Sequence, residues 1–169
     1  MQRTRVLLAL VVAAGLLAPT SAQQARQPPP YRILVSNDDG VRAPGIAALA
    51  QILQAIGDVS IIAPAENHSG AGHSISTASD AIFRDDLTLP NGLKAIGLTA
   101  TPASTVNVAI RNIMKPRPDL VVSGINRGLN LGYSAYVSGT VGAARQAAML
   151  GVPAIATSMA AAGMPNPSR

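Results

Sequence analysis

The chain has no cysteine and no tryptophan, and its aromatic side chains are three tyrosines and one phenylalanine in 169 residues. Without thiols it has no disulfide, no Cys-ligated metal and no thiol nucleophile, so the fold must be held by its core. That core must come from Ala, Val, Ile and Leu, since 48% of the residues are apolar and almost none are aromatic. Charged residues make up only 12%, and the basic ones are scattered without a run or interleaved rings. This argues against a platform for polymeric nucleic acid, which needs a basic patch and stacking surfaces. A net charge of +5 falls to +3 without Arg3 and Arg5, a mild positive balance that suits a small anionic substrate. Also missing are the Gly-Lys-Ser/Thr ending of a phosphate-binding Walker loop, the full Gly-x-Gly-x-x-Gly fingerprint and the Gly-x-Ser-x-Gly elbow of serine hydrolases. There is no internal repeat.

The first residues have the layout of a secretory signal. Arg3 and Arg5 precede an apolar run over residues 6–18, and Thr20-Ser21-Ala22 supplies small residues for cleavage. The run is shorter than the ~20 residues that span a bilayer. The expectation is therefore cleavage after Ala22, no stable membrane insertion, and a periplasmic or secreted product. Residues 23–30, ending in three prolines, read as an extended linker. Residues 31–159 make one domain and residues 160–169 a tail.

The domain reads as alternating strands and helices. Ile33-Leu34-Val35-Ser36 is a short apolar run of the kind buried on both faces of a parallel sheet. Pro44 opens a helix with Ile46, Leu49, Ile52, Leu53 and Ile56 at helical spacing, and Gly57 is the expected terminating glycine. Val59 to Ala63 is a second strand, completing a βαβ unit. Residues 74–83 are strand-like, and Asn91-Gly92 marks a hairpin, so this part reads as an antiparallel excursion from the main sheet. Asp85-Asp86 reads as a solvated bend there. Thr101-Pro102 starts a helix ended by Pro116 and Pro118. Leu120 to Gly124 is a strand with Asn126 just past its end, 140–150 an Ala-rich helix, and 152–158 a last strand. The fold class is α/β: a Rossmann-like, doubly wound, mostly parallel sheet in three α/β/α layers with a small β-hairpin excursion. The lack of a covering helix after the last strand suggests a chain cut short of a complete domain.

Ligands of an open parallel sheet bind beyond the carboxyl ends of its strands. The first strand ends in Ser36-Asn37-Asp38-Asp39-Gly40, the second runs into Asn67-His68-Ser69-Gly70, and the third into Asn126. Adjacent carboxylates are unfavourable at a buried strand end unless a cation offsets their charge. Asn-Asp-Asp-Gly is also ordinary turn chemistry. Agreement of three strand ends on oxygen donors favours a site for Mg²⁺ or Mn²⁺ over Zn²⁺. Ser138-Gly139-Thr140 leads into a helix and is open to two readings, an anion site at the helix N-terminus or a plain N-cap. His68 and His73 are the only histidines; either could serve as an acid or base, and His73 reads better as a solvated loop residue.

Ser36-Asn37-Asp38-Asp39-Gly40-Val41, Ala43-Pro44-Gly45-Ile46, Ala63-Pro64, Asn67-x-Ser69-Gly70, Ser123-Gly124-Ile125-Asn126-x-Gly128-x-Asn130-Leu131-Gly132 and Ser138-Gly139-Thr140-Val141 together resemble the SurE family of survival proteins. The match runs from Tyr31 to Ser158. It implies a Rossmann-like, metal-dependent 5′/3′-nucleotidase and acid phosphatase that hydrolyses nucleoside monophosphates or other small phosphomonoesters. It implies one divalent cation per subunit (Mg or Mn), held by Asp38, Asp39, Ser69 and Asn126, with Asp38 and Asp39 catalytic. Phosphate or nucleotide contacts would come from Asn67, Gly70, Asn130, Ser138, Gly139 and Thr140. Family chains continue further and form homodimers. This chain departs from the usual pattern in having Ala65, Ser104 and Gln146 at commonly acidic positions, Tyr133-Ser134 after Asn-Leu-Gly, and Val137 in place of a tyrosine. The alternative function is a domain that binds phosphate ligands without turnover.

Overall fold

A computed structural model describes residues 30–77 and 79–160. The expected signal peptide and, apart from Pro30 and Ala160, the linker and tail lie outside these residues. Six strands form one sheet: β1 Arg32–Ser36, β2 Asp58–Pro64, β3 Arg84–Thr88, β4 Lys94–Leu98, β5 Leu120–Arg127 and β6 Ala154–Met159. The helices are α1 Pro44–Leu53, α2 Pro102–Val108 with a π-helical continuation Ala109–Ile113, the single turn α3 Ser134–Val137, and α4 Gly139–Met149. The strand order is β3-β4-β2-β1-β5-β6. Every pairing is parallel except that of β3 with β4. No helix among the described residues is long and apolar enough to cross a membrane.

Side-chain alternation along the buried strands builds two cores. Ile33 and Val35 of β1 face α1 and cluster with Ile46, Leu49, Ala50, Ile61 and Val122. Leu34 faces the other way, into a layer with Val106, Ala109 and Ile110 of the second helix and Ala143 and Ala147 of α4. Full burial of each Val, Leu or Ile contributes about 1.5–3 kcal/mol relative to exposure. The α/β/α class expected from the alternating pattern is what forms.

Several local expectations are corrected. Asn91-Gly92 does turn a hairpin, with Gly92 at φ 85°, but β4 is no excursion: it pairs with β2 inside the main sheet, and only β3 is an antiparallel edge. Asp85 and Asp86 lie in that edge strand, paired in register with Gly97 and Ile96. They stay in solvent, and Asp86 bonds Arg84 at 2.6 Å while Asp85 meets Arg42 at 3.2 Å. Charge along an edge discourages pairing with another chain. Outside Ala78, residues 74–83 form no strand. Hydroxyl groups near the start of α2 satisfy their backbone instead: Thr101 Oγ1 donates to Ser74 O at 2.6 Å, and Ser104 Oγ accepts from Ser76 N at 2.7 Å.

The apolar stripe of α1 is narrower than its spacing suggests. Ile46, Leu49 and Ala50 are buried, but Ile52 is 69% exposed and Ile56, beyond the helix end, 63%. Gly57 is not a left-handed terminator. It is required because a Cβ there would lie 2.1 Å from Tyr31 O, where β2 begins beside β1. Gly151, at φ 75°, is the left-handed glycine that follows α4.

Candidate metal and phosphate site

The strand order reverses at β1. From β1 the chain passes through α1 to β2 on one side, and the crossover after β4 returns through α2 to β5 on the other. Ligand crevices of open α/β sheets form at such reversals, outside the carboxyl ends of the strands. Here that position belongs to Asp38 and Asp39 after β1, and to Asn126 near the end of β5.

Hydrogen bonds draw the segments together. The main-chain oxygen of Asp38 accepts from His68 N at 2.7 Å, and Gly40 packs against the backbone of Glu66 and Asn67. This ties the loop carrying Asn67, Ser69 and Gly70 to the Asp pair. Asp39 Oδ2 accepts from Arg127 N at 3.3 Å, which ties in the end of β5. Asp38 Oδ1 accepts from Thr140 Oγ1 at 2.6 Å, which ties in the start of α4. Gly139 permits that last approach: a Cβ there would lie 2.7 Å from Asp38 Cβ and 2.9 Å from Oδ2.

Asp38 is 3% exposed, whereas Asp39 is half-buried. Burial pushes the Asp39 carboxyl above its ordinary value; the Arg127 N–H opposes the shift and the Asp38 charge adds to it. A carboxyl strained toward protonation by desolvation and a like charge is one that a cation would relieve.

Asn126 is not past the end of its strand, as its sequence position suggests. β5 runs on to Arg127, with a register shift against β6 between Ser123 and Asn126 and Gly124 at φ 141°. The Asn126 amide nitrogen donates to Gly128 O at 2.7 Å, which leaves Oδ1 as the atom it can offer a cation. Asn67 has the opposite bias. Its Oδ1 accepts from Ser69 N at 2.7 Å, leaving an NH₂ donor suited to an anion. Ser69 and Gly70 are exposed on the same loop.

Of the two readings of residues 138–140, the N-cap is the one the hydrogen bonds display, at Ser138. Ser138 Oγ caps α4 by accepting from Val141 N at 3.2 Å. Thr140 is fully buried and its hydroxyl is spent on Asp38. Within the segment expected to contact phosphate, the Thr140 hydroxyl proton is directed at Asp38. Of the first-turn N–H groups of α4, that of Val141 is taken by Ser138 Oγ, and those of Gly139 and Thr140 have no partner within the helix. Asn130 stands one strand further out, donating to Ser158 Oγ at 3.0 Å.

His73 is also not a free loop residue: its Nε2 shares a hydrogen bond with Gln146 Oε1 at 2.8 Å. It helps seat the loop on α4, where a Cβ at Gly142 would lie 2.1 Å from Gly72 O. The buried atoms Ser36 Oγ, Asn37 Oδ1 and Ser123 Oγ have no hydrogen-bond partner. Ser36 and Ser123 are in register across the β1–β5 pair, directly below the crevice. Nothing in the sequence marks Arg127 as a contributor, because it acts through its backbone N–H.

The donors fit a hard divalent cation. Asp38 and Asp39 lie at the crevice, hydrogen bonds tie the Ser69 loop and the end of β5 that carries Asn126 to them, all these side chains offer oxygen, and no sulfur is present. Among the described residues no three His, Cys, Asp or Glu side chains cluster as a metal group.

The family model "Survival protein SurE" matches residues 33–167. The chain is 47% identical over 128 residues to the 5′/3′-nucleotidase SurE of Cronobacter sakazakii, covering 76% of this chain and 49% of that one. It is 45% identical over 129 residues to the 5′-nucleotidase SurE of Pelobacter propionicus, covering 76% and 50%. The crystal structure of SurE protein from Aquifex aeolicus superposes with a TM-score of 0.64 at 39% identity, over 75% of this chain and 50% of that one. The chain spans about half the length of the curated relatives it matches. With the motifs, the fold and these likenesses in agreement, the chain belongs to the SurE family.

Proposed function

We propose that the protein is a metal-dependent phosphomonoesterase acting on nucleoside monophosphates. The observation that carries this is the convergence of Asp38 and Asp39 with the 67–70 loop, the end of β5 and the start of α4 at the reversal of the sheet. Relatives named 5′-nucleotidase support the reaction class.

Asp38, Asp39, Ser69 and Asn126 would hold one Mg²⁺ or Mn²⁺. A bound divalent cation supplies Lewis-acid polarisation of a phosphoryl oxygen and makes a water more acidic. The chain supplies position. Thr140 and the Gly139 contact fix the Asp38 carboxylate, and Arg127 N–H fixes that of Asp39. The first-turn N–H groups of α4 and the Asn67 amide are donors for phosphoryl oxygens, where preorganised dipoles stabilise developing charge. No side chain is required as a covalent nucleophile. The proposal includes export, on the residues of 1–22 alone.

Phosphate release from adenosine 5′-monophosphate and p-nitrophenyl phosphate, with Mg²⁺ or Mn²⁺ and after EDTA, tests the reading. Activity should need the cation. Asp38→Asn and Asp39→Asn should each lower it by about two orders of magnitude, because Lewis-acid stabilisation is worth several kcal/mol and each ~1.4 kcal/mol is tenfold. Turnover that survives EDTA and both substitutions would overturn the proposal.

A further inference from the structure

The segment between β5 and α4 exposes an unusual amount of apolar surface. Leu131 is 59% exposed, Tyr133 80%, Tyr136 71% and Val137 42%. Two of the four aromatic residues in the whole chain stand here. Tyr133 and Tyr136 are three residues apart at α3, and their rings lie side by side with centroids 6.5 Å apart and a 36° tilt. Residues three apart share one face of a helical turn. A contiguous exposed apolar patch commonly marks a binding surface.

Its place in the fold indicates what it would bind. The segment leaves from Asn126 and Arg127, whose backbone N–H holds Asp39, and ends at Ser138, the cap of the helix whose Thr140 holds Asp38. Immediately before that cap, Val137 O accepts from Gly72 N at 2.9 Å, joining the end of α3 to the loop that carries Asn67 and Ser69. The segment that carries the rings is therefore anchored at both ends to the elements that hold Asp38 and Asp39.

We propose that Tyr133 and Tyr136 form a stacking platform for the base of a nucleoside phosphate whose phosphate lies at the Asp38 and Asp39 crevice. This rests on the phosphomonoesterase reading and adds the source of its substrate class. Stacking on an aromatic ring tolerates every base, because every base has a π-face. The platform therefore separates nucleotides from base-free phosphomonoesters and does little to separate one base from another. Both tyrosines are specificity-determining residues with no part in the chemistry.

The test compares adenosine 5′-monophosphate with ribose 5-phosphate on the full chain with Mn²⁺. It measures kcat/KM for each by phosphate release and Kd for each by calorimetry. Stacking energies predict a preference for the nucleotide of about tenfold to a hundredfold. The double variant Tyr133→Ala, Tyr136→Ala should erase that preference, and Tyr133→Phe, Tyr136→Phe should restore it because the rings return. Circular dichroism checks that the variants fold. Equal handling of the two substrates by the unaltered chain, or a preference unchanged in the alanine variant, overturns the platform while leaving the phosphatase reading intact. Such a result would be expected of a patch that another protein segment covers. A chain that binds both compounds without phosphate release overturns the phosphatase reading, and its Kd ratio then decides the platform alone. Binding of neither compound overturns both.

Discussion

The bond between Thr140 and Asp38 can be tested quantitatively. The hydroxyl is fully buried, its acceptor is 3% exposed, and the O···O distance is 2.6 Å, within the short range of a hydroxyl donating to a carboxylate. Thr140→Val keeps the shape and removes the donor, so a buried carboxylate oxygen loses its partner with little room for water to replace it. Hydrogen bonds to charged groups contribute about 1.5–3 kcal/mol, and an orphaned buried acceptor puts the loss at the upper end. The expected loss is about 2–3 kcal/mol, or about 1 M in the urea midpoint at an m-value of about 2 kcal/mol/M. Thr140→Ser keeps the hydroxyl and loses one methyl group, about 1 kcal/mol, so it should be the milder change. A double-mutant cycle with Asp38→Asn should return a coupling of at least about 1 kcal/mol, since contacting residues couple by 0.5–3 kcal/mol. Mn²⁺ should raise the midpoint of Thr140→Val less than that of Thr140→Ser, because only the latter still orients Asp38. If Thr140→Val is as stable as Thr140→Ser, or the cycle gives no coupling, the hydroxyl does not hold Asp38 and the placement of α4 on the site is wrong.

Two further outcomes follow from the same geometry. Gly139→Ala puts a methyl group 2.7 Å from Asp38 Cβ, on a part of the side chain that cannot swing away. It should cost about 1–3 kcal/mol as overpacking and weaken Mn²⁺ binding measured by calorimetry; unchanged affinity and stability would refute the close approach. At the other end of the sheet, the Arg32 guanidinium and backbone N–H together hold the Asp119 carboxyl at about 2. A depressed carboxyl contributes stability above its unfolded pKa of about 4 and loses it as pH falls through its folded value. The stability gap between the native chain and Asp119→Asn should therefore be full near pH 6 and close as pH drops from about 4 to about 2, read by urea unfolding. A gap that does not depend on pH would show that the pair is not responsible.

The parts of the fold that follow from local pattern were legible. The buried strands announce themselves as apolar runs, Pro44 opens α1, and Asn91-Gly92 turns the β3–β4 hairpin. What misled was tertiary. Ile52 and Ile56 continue a helical apolar spacing, but Ile52 lies outside the arc that reaches the sheet and Ile56 falls after the helix has ended at Leu53. Gly57 sits where a helix terminator belongs, yet a carbonyl of the neighbouring strand excludes its side chain. Residues 74–83 have strand-like composition but bond to hydroxyl groups of residues 99, 101 and 104, partners that no local window contains.

The site divides along the same line. That Asp38, Asp39 and Asn126 lie at the crevice could be read in advance, because the strand-end rule locates the carboxyl ends of parallel strands without coordinates. Roles that depend on direction could not be chosen. Ser138 and Thr140 are two hydroxyls separated by one glycine, and capping rules assign the first to the helix but say nothing of the second. Two residues on, the helix has turned by more than half a circle, so the second hydroxyl cannot share the direction of the first. Only the seating of α4 over the end of β1 decides that it meets Asp38. That seating depends on the missing side chain of Gly139 and on the contact of Gly142 with the 66–74 loop. With Thr140 committed to the carboxylate, the proposed phosphate would meet α4 through backbone N–H groups alone. The same helix end then serves both charges of the proposed reaction, with its side chain on the cation ligand and its main chain on the phosphate.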